Sequence, residues 1–301
     1  MTADPKRLAF LLAVHRAGGV LAAADLLHVT PSAVSQQIAR LEAEERVTVL
    51  DRGPRGVTLT QAGRILAEAA EHIEAELVTA RKRLAAAGDG ASGTVTVASF
   101  QTVTIAALVP AILKLRESSP GVEPHVREME YAEALRALRA GEVDVVLHER
   151  DEDTAPNIPR GQREIPILDE PWRLVIPSSF PTPTSLHDLA GVRWVAPDPS
   201  TAAARALGRV AQALGVELQM RHTFFDFDIA LTLVAAGDGP ALLPALALQS
   251  GIPEGVEVVA LPGLGSRRIV ARHRVSRHEP GAAVEALLEA LVEEARGLEL
   301  A

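Results

Sequence analysis

Apolar residues recur at helical spacing through the first 45 residues and again in a long stretch after residue 60. Residues 5–17 open on Pro5 and carry Leu8, Leu11, Leu12 and Val14 at spacings that predict a helix, which Gly18–Gly19 ends. Residues 21–42, LAAADLLHVTPSAVSQQIARLE, read as two short helices around a tight turn. Ala23, Ala24 and Leu27 give one apolar face, and Ala33, Val34, Ile38 and Leu41 give the other. Thr30 is a good N-cap, and Pro31 takes the first helical position, where its missing N–H costs nothing. Ser32, Ser35, Gln36 and Gln37 remain outward, with Arg40 a turn later. Short hydrogen-bonding side chains on the first turns of a helix suit it to enter a major groove and read base edges. An ordinary helical hairpin with a solvated face is the plainer alternative.

Val47–Leu50 is a short β-branched run, Asp51–Gly56 a turn rich in Gly, Pro and Arg, and Val57–Thr60 a second short strand. Together they predict a β-wing with Arg52 and Arg55 at its tip, within reach of phosphate or minor groove. Thr60 caps a helix running to about Ala87. Leu66, Ala70, Ile73, Leu77, Ala80, Leu84 and Ala87 follow a 4-3 spacing, a narrow heptad seam. That seam predicts pairing with a second copy through Leu66, Ile73, Leu77 and Leu84; packing on its own domain is the alternative. Gly88–Gly93 is a flexible joint.

From Thr94 the pattern changes to alternating strands and helices, which indicates α/β units with mixed or parallel sheets. Strands are expected at 94–99, 123–129, 143–147, 165–167, 172–176, 193–196, 217–225, 240–244, 256–261 and 268–273. The strands at 165–167 and 172–176 flank an acidic turn. Helices are expected at 105–117, 132–140, 186–189, 201–214 and 228–236, with an amphipathic one over 281–298.

Composition narrows the chemistry. The chain has no cysteine, which removes disulfides, thiolate metal sites, cysteine nucleophiles and thiol redox sensing. No HExxH, GxSxG, Walker or GxGxxG pattern is present, so an enzyme, a metal site and a cofactor are not expected. The start of the chain lacks signal-peptide order and no run is long enough for a membrane span, so a cytoplasmic protein without membrane contact is expected. The net charge of −9 is uneven: residues 1–60 carry +1 and the remainder −10. A mildly basic head on an acidic body binds DNA best as an oligomer that adds phosphate contacts.

The N-terminal 65 residues resemble the winged helix-turn-helix of LysR-type transcriptional regulators. The resemblance rests on Ala23–Ala24, on Ala33–Val34–Ser35, on Ile38 and Leu41–Glu42, on Arg52, and on Leu59–Gly63, which opens the long helix. The rest of the chain fits the same family. The resemblance implies a winged helix-turn-helix over 1–60, a dimerising linker helix over 61–87, a joint at 88–93 and a two-lobed α/β effector domain over 94–301. That domain is like a periplasmic binding protein, with lobe I at 94–164 and 268–301 and lobe II at 165–267. Crossings between lobes are placed near Arg163–Pro166 and Gly265–Arg268. The implied partners are double-stranded DNA, a second copy (a dimer through the linker helix, assembling into a tetramer), a small-molecule effector and RNA polymerase. DNA contacts fall to Thr30, Pro31, Ser32, Ser35, Gln36, Gln37, Arg40, Arg52 and Arg55.

Four loops are expected to line the effector cleft: Ser99–Phe100–Gln101–Thr102, His148–Glu149–Arg150 with His148 as the contact, Pro197–Asp198–Pro199–Ser200 with Pro197 and Asp198, and Phe224–Phe225–Asp226–Phe227–Asp228 with Phe225 and Asp226. Asp226 offers a carboxylate to a cationic effector or, with Asp228, a helix cap; Asp228 is expected to be the cap. Two departures from the family stand out. Thr30–Pro31–Ser32 replaces the usual Ser-Gln-Pro, so Pro31 removes a side chain that commonly touches DNA. Glu45–Arg46 replaces Leu-Gly where a helix ends, placing Arg46 where a left-handed glycine is usual. The rival reading is a cytoplasmic small-molecule sensor without DNA function.

Overall fold

The computed structural model describes residues 3–53, 56–85, 91–151, 154–275 and 280–300. The chain divides into two compact units, residues 1–88 with 135–143, and residues 89–134 with 144–301. Segment 135–143, expected in the first effector lobe, thus groups with the N-terminal unit.

In the first unit, α1 (Pro5–Ala17) starts where the Asp4 carboxylate accepts from Lys6 N, and stops at Gly18 with φ 75°. After α2 (Val20–Leu26), Thr30 caps α3 (Pro31–Glu45), its hydroxyl accepting from Ala33 N at 3.2 Å. Leu8, Leu11, Leu12, Ala23, Ala24, Val34, Ile38 and Leu41 interlock as one core. The first wing strand is displaced from its expected place: β1 is Leu50–Gly53 and β2 Gly56–Leu59. Val47 and Thr48 are not paired in the wing: Val47 N donates to Glu42 O at 3.1 Å and Thr48 O accepts from Thr60 Oγ1 at 2.7 Å, while Glu42 Oε1 takes the Val49 and Leu50 N–H groups at 2.8 and 3.4 Å. Thr60 Oγ1 donates to Thr48 O and accepts from Gly63 N, which opens α4 (Gln61–Ala85). A Cβ on Gly63 would lie 2.1 Å from Val49 O, so glycine is the residue that lets helix and wing touch.

The heptad reading of α4 needs correction. Leu66, Ala70 and Ile73 pack into the domain's own core with α1, so they are not an open seam. The reason is period: a narrow apolar stripe at helical spacing serves an intramolecular neighbour as well as a partner helix. Leu77 is exposed, as is Ile65 on another face. Ala80 is exposed too, and the Leu84 side chain lies outside the described residues.

In the second unit one long strand organises the sheet. The order is β10-β6-β11-β5-β3-β4, with β9 also on β6 and a separate parallel pair β7-β8. The strands are β3 (Gly93–Ser99), β4 (Val122–Glu128), β5 (Val145–Asp151), β6 (Gln162–Pro177), β7 (Arg193–Pro197), β8 (Gln219–Phe224), β9 (Ala241–Pro244), β10 (Val256–Val259) and β11 (Ser266–Arg274). The expected acidic turn between two strands is absent: β6 runs unbroken for 16 residues. Asp169 and Glu170 stay in extended conformation because Arg268 and Arg267 of β11 pair with them. Residues 162–171 of β6 pair with β11, and 172–177 pair with β9 and β10, so the strand changes neighbours at Pro171–Trp172. That is later than the crossing expected at Arg163–Pro166.

One core lies against the β11 side and contains Val97, Leu108, Ile269 and Leu287; the other side buries Trp172, Trp194, Leu207 and Leu242. The helices are α5 (Gln101–Val103), continued through a π turn at Thr104–Leu108 into α6 (Val109–Ser118), then α7 (Tyr131–Ala140), α8 (Ala202–Leu214), α9 (Phe227–Ala235) and α10 (Ala282–Arg296). No single helix among the described residues is long and apolar enough to cross a membrane.

Arg46 adopts φ 55° and ψ 38°, the left-handed conformation, with its N–H on Glu42 O. His28 shares that region at φ 53°, which the sequence did not suggest. A non-glycine residue there costs on the order of 1–2 kcal/mol, part of which is offset because glycine loses more chain entropy on folding. Arg46→Gly is therefore expected to stabilise the protein by about 1 kcal/mol and raise the melting temperature by roughly 2–4 °C. Calorimetry of the two proteins checks this; an unchanged or lower temperature refutes the strain.

Candidate nucleic-acid interface and effector cleft

The N-terminal unit presents α3 with its apolar face spent on the core. Ser32, Gln36 and Arg40, spaced four apart, form an exposed stripe along the opposite face, flanked by half-buried Ser35 and Gln37. Thr30 and Ser32 share a hydrogen bond at 3.0 Å, so both hydroxyls are drawn into the cap region. Gln36 and Arg40 have no hydrogen-bond or ion-pair partner among the described residues, which leaves their polar groups available to an external partner. Exposed Arg46 adds a further cation just beyond the helix. Pro31 is exposed at the first helical position and offers no N–H donor. The Arg52 side chain and all of Arg55 lie outside the described residues.

The second unit places the Ser99–Thr102 segment at the C-terminal end of β3 and the start of α5. Ser99 and Thr102 are buried, Phe100 is half-buried and Gln101 is exposed. Thr104 Oγ1 lies 2.8 Å from both Ser99 Oγ and Phe100 O, so that its single proton serves one and the Ser99 hydroxyl can donate in turn. Behind this segment lies a group the sequence reading missed. Arg267 is buried, donates Nη2 to Thr102 Oγ1 at 2.9 Å and Nε to Glu170 Oε2 at 2.7 Å, and pairs with Glu149. Its guanidinium lies 5.4 Å from the Phe100 ring centre and 5.5 Å from that of Trp172. The fully buried Glu170 also accepts from Leu246 N at 2.7 Å. Burial opposes the charge on Arg267, and the two carboxylates outweigh it, so its pKa is raised. The alternation in SRRIVARHR puts Arg267 on one strand face with Ile269 and Ala271; that pattern is the signal that could have found it.

His148 is not in this cluster. Successive strand residues point to opposite faces, and Glu149 takes the Arg267 side. His148 is buried on the other face, with Nε2 3.1 Å from Glu164 and its ring centre 4.7 Å from that of Tyr131. Arg272 pairs with the same Glu164. Burial, then Arg272, hold the His148 imidazole below its ordinary value. Burial would raise Glu164, but hydrogen bonding and charge from Arg272 prevail and lower it.

On the other side of β6, the loops after β7 and β8 meet, Asp198 N donating to Phe224 O at 2.8 Å. Pro197 is buried, and Asp198 Oδ1 accepts from Ser200 Oγ and N at 2.6 and 2.9 Å. The Ser200 contacts, side chain first, lower the Asp198 pKa. Phe225 is 71% exposed. Asp226, not Asp228, caps α9: its Oδ1 takes the N–H groups of Asp228 and Ile229 at 2.8 and 3.2 Å. The helix starts one residue earlier than expected, so the cap moves with it. No cluster of three or more metal-ligating side chains occurs among the described residues.

A helix-turn-helix head in one unit and, in the other, an α/β domain built on the long strands β6 and β11 define the class: a DNA-binding regulator with an effector-binding domain. Residues 5–64 match the family model for the bacterial regulatory helix-turn-helix protein of the lysR family, and residues 88–296 match the LysR substrate binding domain. The chain belongs to the LysR family of transcriptional regulators. It is 30% identical over 240 residues to a hydrogen peroxide-inducible genes activator of Dickeya chrysanthemi, covering 78% of this chain and 77% of that one. Its fold is similar to a full-length OxyR variant from Pseudomonas aeruginosa, with TM-score 0.67 and 18% identity over 100% of this chain and 97% of that one. It is also similar to full-length CbnR complexed with its target DNA, with TM-score 0.58 and 24% identity over 98% and 99% of the chains.

Two outcomes follow from the buried charges. Arg267→Met leaves Glu149 and Glu170 without their cation and is expected to destabilise the protein by about 3–5 kcal/mol; urea unfolding measures it. His148, depressed in the folded state, is protonated first in the unfolded chain. Its contribution is present above the ordinary value of 6.5 and is lost as the pH falls below it. Unfolding free energy should therefore fall between pH 7.5 and 5.5, and His148→Gln should flatten that slope; parallel curves for the two proteins would contradict the assignment.

Proposed function

We propose that the protein reads a two-fold-related DNA site through α3 and changes its grip when a small molecule occupies the cleft of the α/β domain. The single observation that carries the DNA reading is the exposed stripe of Ser32, Gln36 and Arg40 on a helix capped by Thr30 and backed by the domain core. Ser35 and Gln37 flank the stripe, and Arg52, Arg55 and Arg46 supply phosphate contacts. A dimer forms along α4, with Leu77 and Leu84 as the contacts beyond the segment used by α1. Two heads on one face of the duplex address half-sites about 34 Å apart or a multiple of it. Effector domains pair these dimers into tetramers, and RNA polymerase is the downstream partner. The protein works in the cytoplasm and carries no enzymatic activity or cofactor of its own.

The effector contacts Ser99, Phe100, Gln101 and Thr102 on one side and the Pro197–Asp198 and Phe225–Asp226 loops on the other. His148 is withdrawn from that set. The relatives' names connect them with hydrogen peroxide. This chain contains no cysteine, so oxidation of a thiol is not its switch. A reversibly bound molecule that favours one lobe arrangement is the alternative that the residues support.

Footprinting of the DNA upstream of its gene, with and without a metabolite pool, tests the reading. Gln36→Ala should relax sequence preference, costing about 1–3 kcal/mol on the cognate site. Arg40→Ala should weaken cognate and random DNA alike and lower the salt slope by about 1. Equal loss on both DNAs for Gln36→Ala would remove it from base reading.

A further inference from the structure

The α/β unit contains a second charged cluster that the cleft assignment does not use. Glu149 and Asp151 are two apart on β5 and so share one face of the strand. Glu149 is matched by Arg267 from the neighbouring strand β11. Asp151 lies directly opposite Arg267 in the strand register, but its carboxylate is taken by a different element. Arg205 Nε donates to Asp151 Oδ2 at 2.9 Å, and Arg209 Nη1 donates to Asp151 Oδ1 at 3.1 Å. Both arginines stand one turn apart on α8, whose buried face packs in the Trp172–Trp194 core beyond the crossing strands. One carboxylate therefore receives both of its oxygens' partners from the opposite lobe.

We propose that Asp151, Arg205 and Arg209 form an electrostatic latch that holds the two lobes of the effector domain in the arrangement seen here. The lobes are also joined by β6 and β11, which run unbroken through the crossing, and by the turn after β9 and the C-terminal residues, where Leu246 packs in the β11-side core, Arg173 Nη2 donates to Leu300 O at 2.7 Å and Gln249 Nε2 to Glu299 O at 3.3 Å. Glu170 and Arg267 lie in that crossing and stay buried in any small rotation; the latch lies at its edge. Asp151 is 18% exposed, and Arg205 and Arg209 are 47% and 36% exposed. Partial exposure is what lets such a contact open: water and salt can replace each partner, whereas neither can reach Arg267 without unfolding the crossing. The two arginines exceed the single carboxylate in charge, so an anion arriving at the lobe edge competes with Asp151 for them and releases the latch. The link from lobe position to DNA rests on the function proposed above; the latch itself does not.

The absence of cysteine makes the test direct. Glu117→Cys on the exposed end of α6 and Gln212→Cys on the exposed side of α8 place one spin label in each lobe of the full-length chain. Labelled chains are diluted into unlabelled protein, so that distances within one chain are read. The labelled parent should give one narrow distance at low salt. Asp151→Asn should broaden it or add a second maximum several ångströms away, and 1 M sodium chloride should do the same to the parent. Arg205→Gln with Arg209→Gln, one exposed and one half-buried on α8, should reproduce the effect if the aspartate change impairs folding. The charge-swapped combination, Asp151→Arg with Arg205→Glu and Arg209→Glu, should restore the narrow distance. Superimposable distributions for the parent, Asp151→Asn and the double arginine variant would overturn the latch. A loosened latch with an unchanged DNA footprint would support the latch and refute the coupling on which the proposed regulation depends.

Discussion

The buried guanidinium of Arg267 is the contact on which the α/β domain depends. It lies where the chain passes between lobes, and it joins β11 to β6 through Glu170, to β5 through Glu149 and to α5 through Thr102. Glu170 in turn receives the N–H of Leu246, so the turn after β9 is tied to the same point. A buried ion pair of this kind is weak support for stability relative to an apolar core. It is strong support for geometry, because removing one partner leaves a charge with nowhere to go. The continuity of β6 through Asp169–Glu170–Pro171 follows from it. An acidic stretch that would turn in isolation stays extended because each carboxylate has its own arginine on β11.

The same logic operates in the DNA-facing unit, with backbone groups as the partners. Glu42, in the last turn of α3, reaches forward to the Val49 and Leu50 N–H groups at the start of the wing, while Thr60 and Gly63 close the wing onto α4. The head is thus held by side chain-to-backbone contacts at the starts of α1, α3 and α4 and at the entry to the wing, and Arg46 accepts an unfavourable conformation among them. The exposed stripe of α3 is free to carry Ser32, Gln36 and Arg40 because stability is supplied by its other face and by these end contacts.

Much of this was legible in the residues. The capping threonines, Pro5 and Pro31 at helix starts, the 3.6-residue apolar period and the strand-helix alternation located most elements to within a few positions. Local chemistry governs those features. The misplacements share one cause. The wing strand moved because Val47 N is held by the end of α3 and Thr48 O by Thr60, and β6 stayed whole because of β11. Leu66 and Ile73, read as a surface for a partner, are packed by α1. His148 and Glu149 are adjacent in sequence and so point to opposite faces; a loop-based grouping could not separate them.

By itself the sequence determined the class of the molecule: a helix-turn-helix with a threonine-capped reading helix, a long helix after it, an α/β domain, no cysteine chemistry and a left-handed arginine where glycine is usual. These depend on residue type and spacing within a few turns of chain. Only the tertiary structure decided which charges meet. Arg267 finds Glu149 and Glu170 across 118 and 97 residues, and Asp151 finds Arg205 and Arg209 across 54 and 58. Contacts at such separations are fixed by strand register and lobe packing: the alternation in SRRIVARHR marks the face on which Arg267 lies, but no local pattern names its partners.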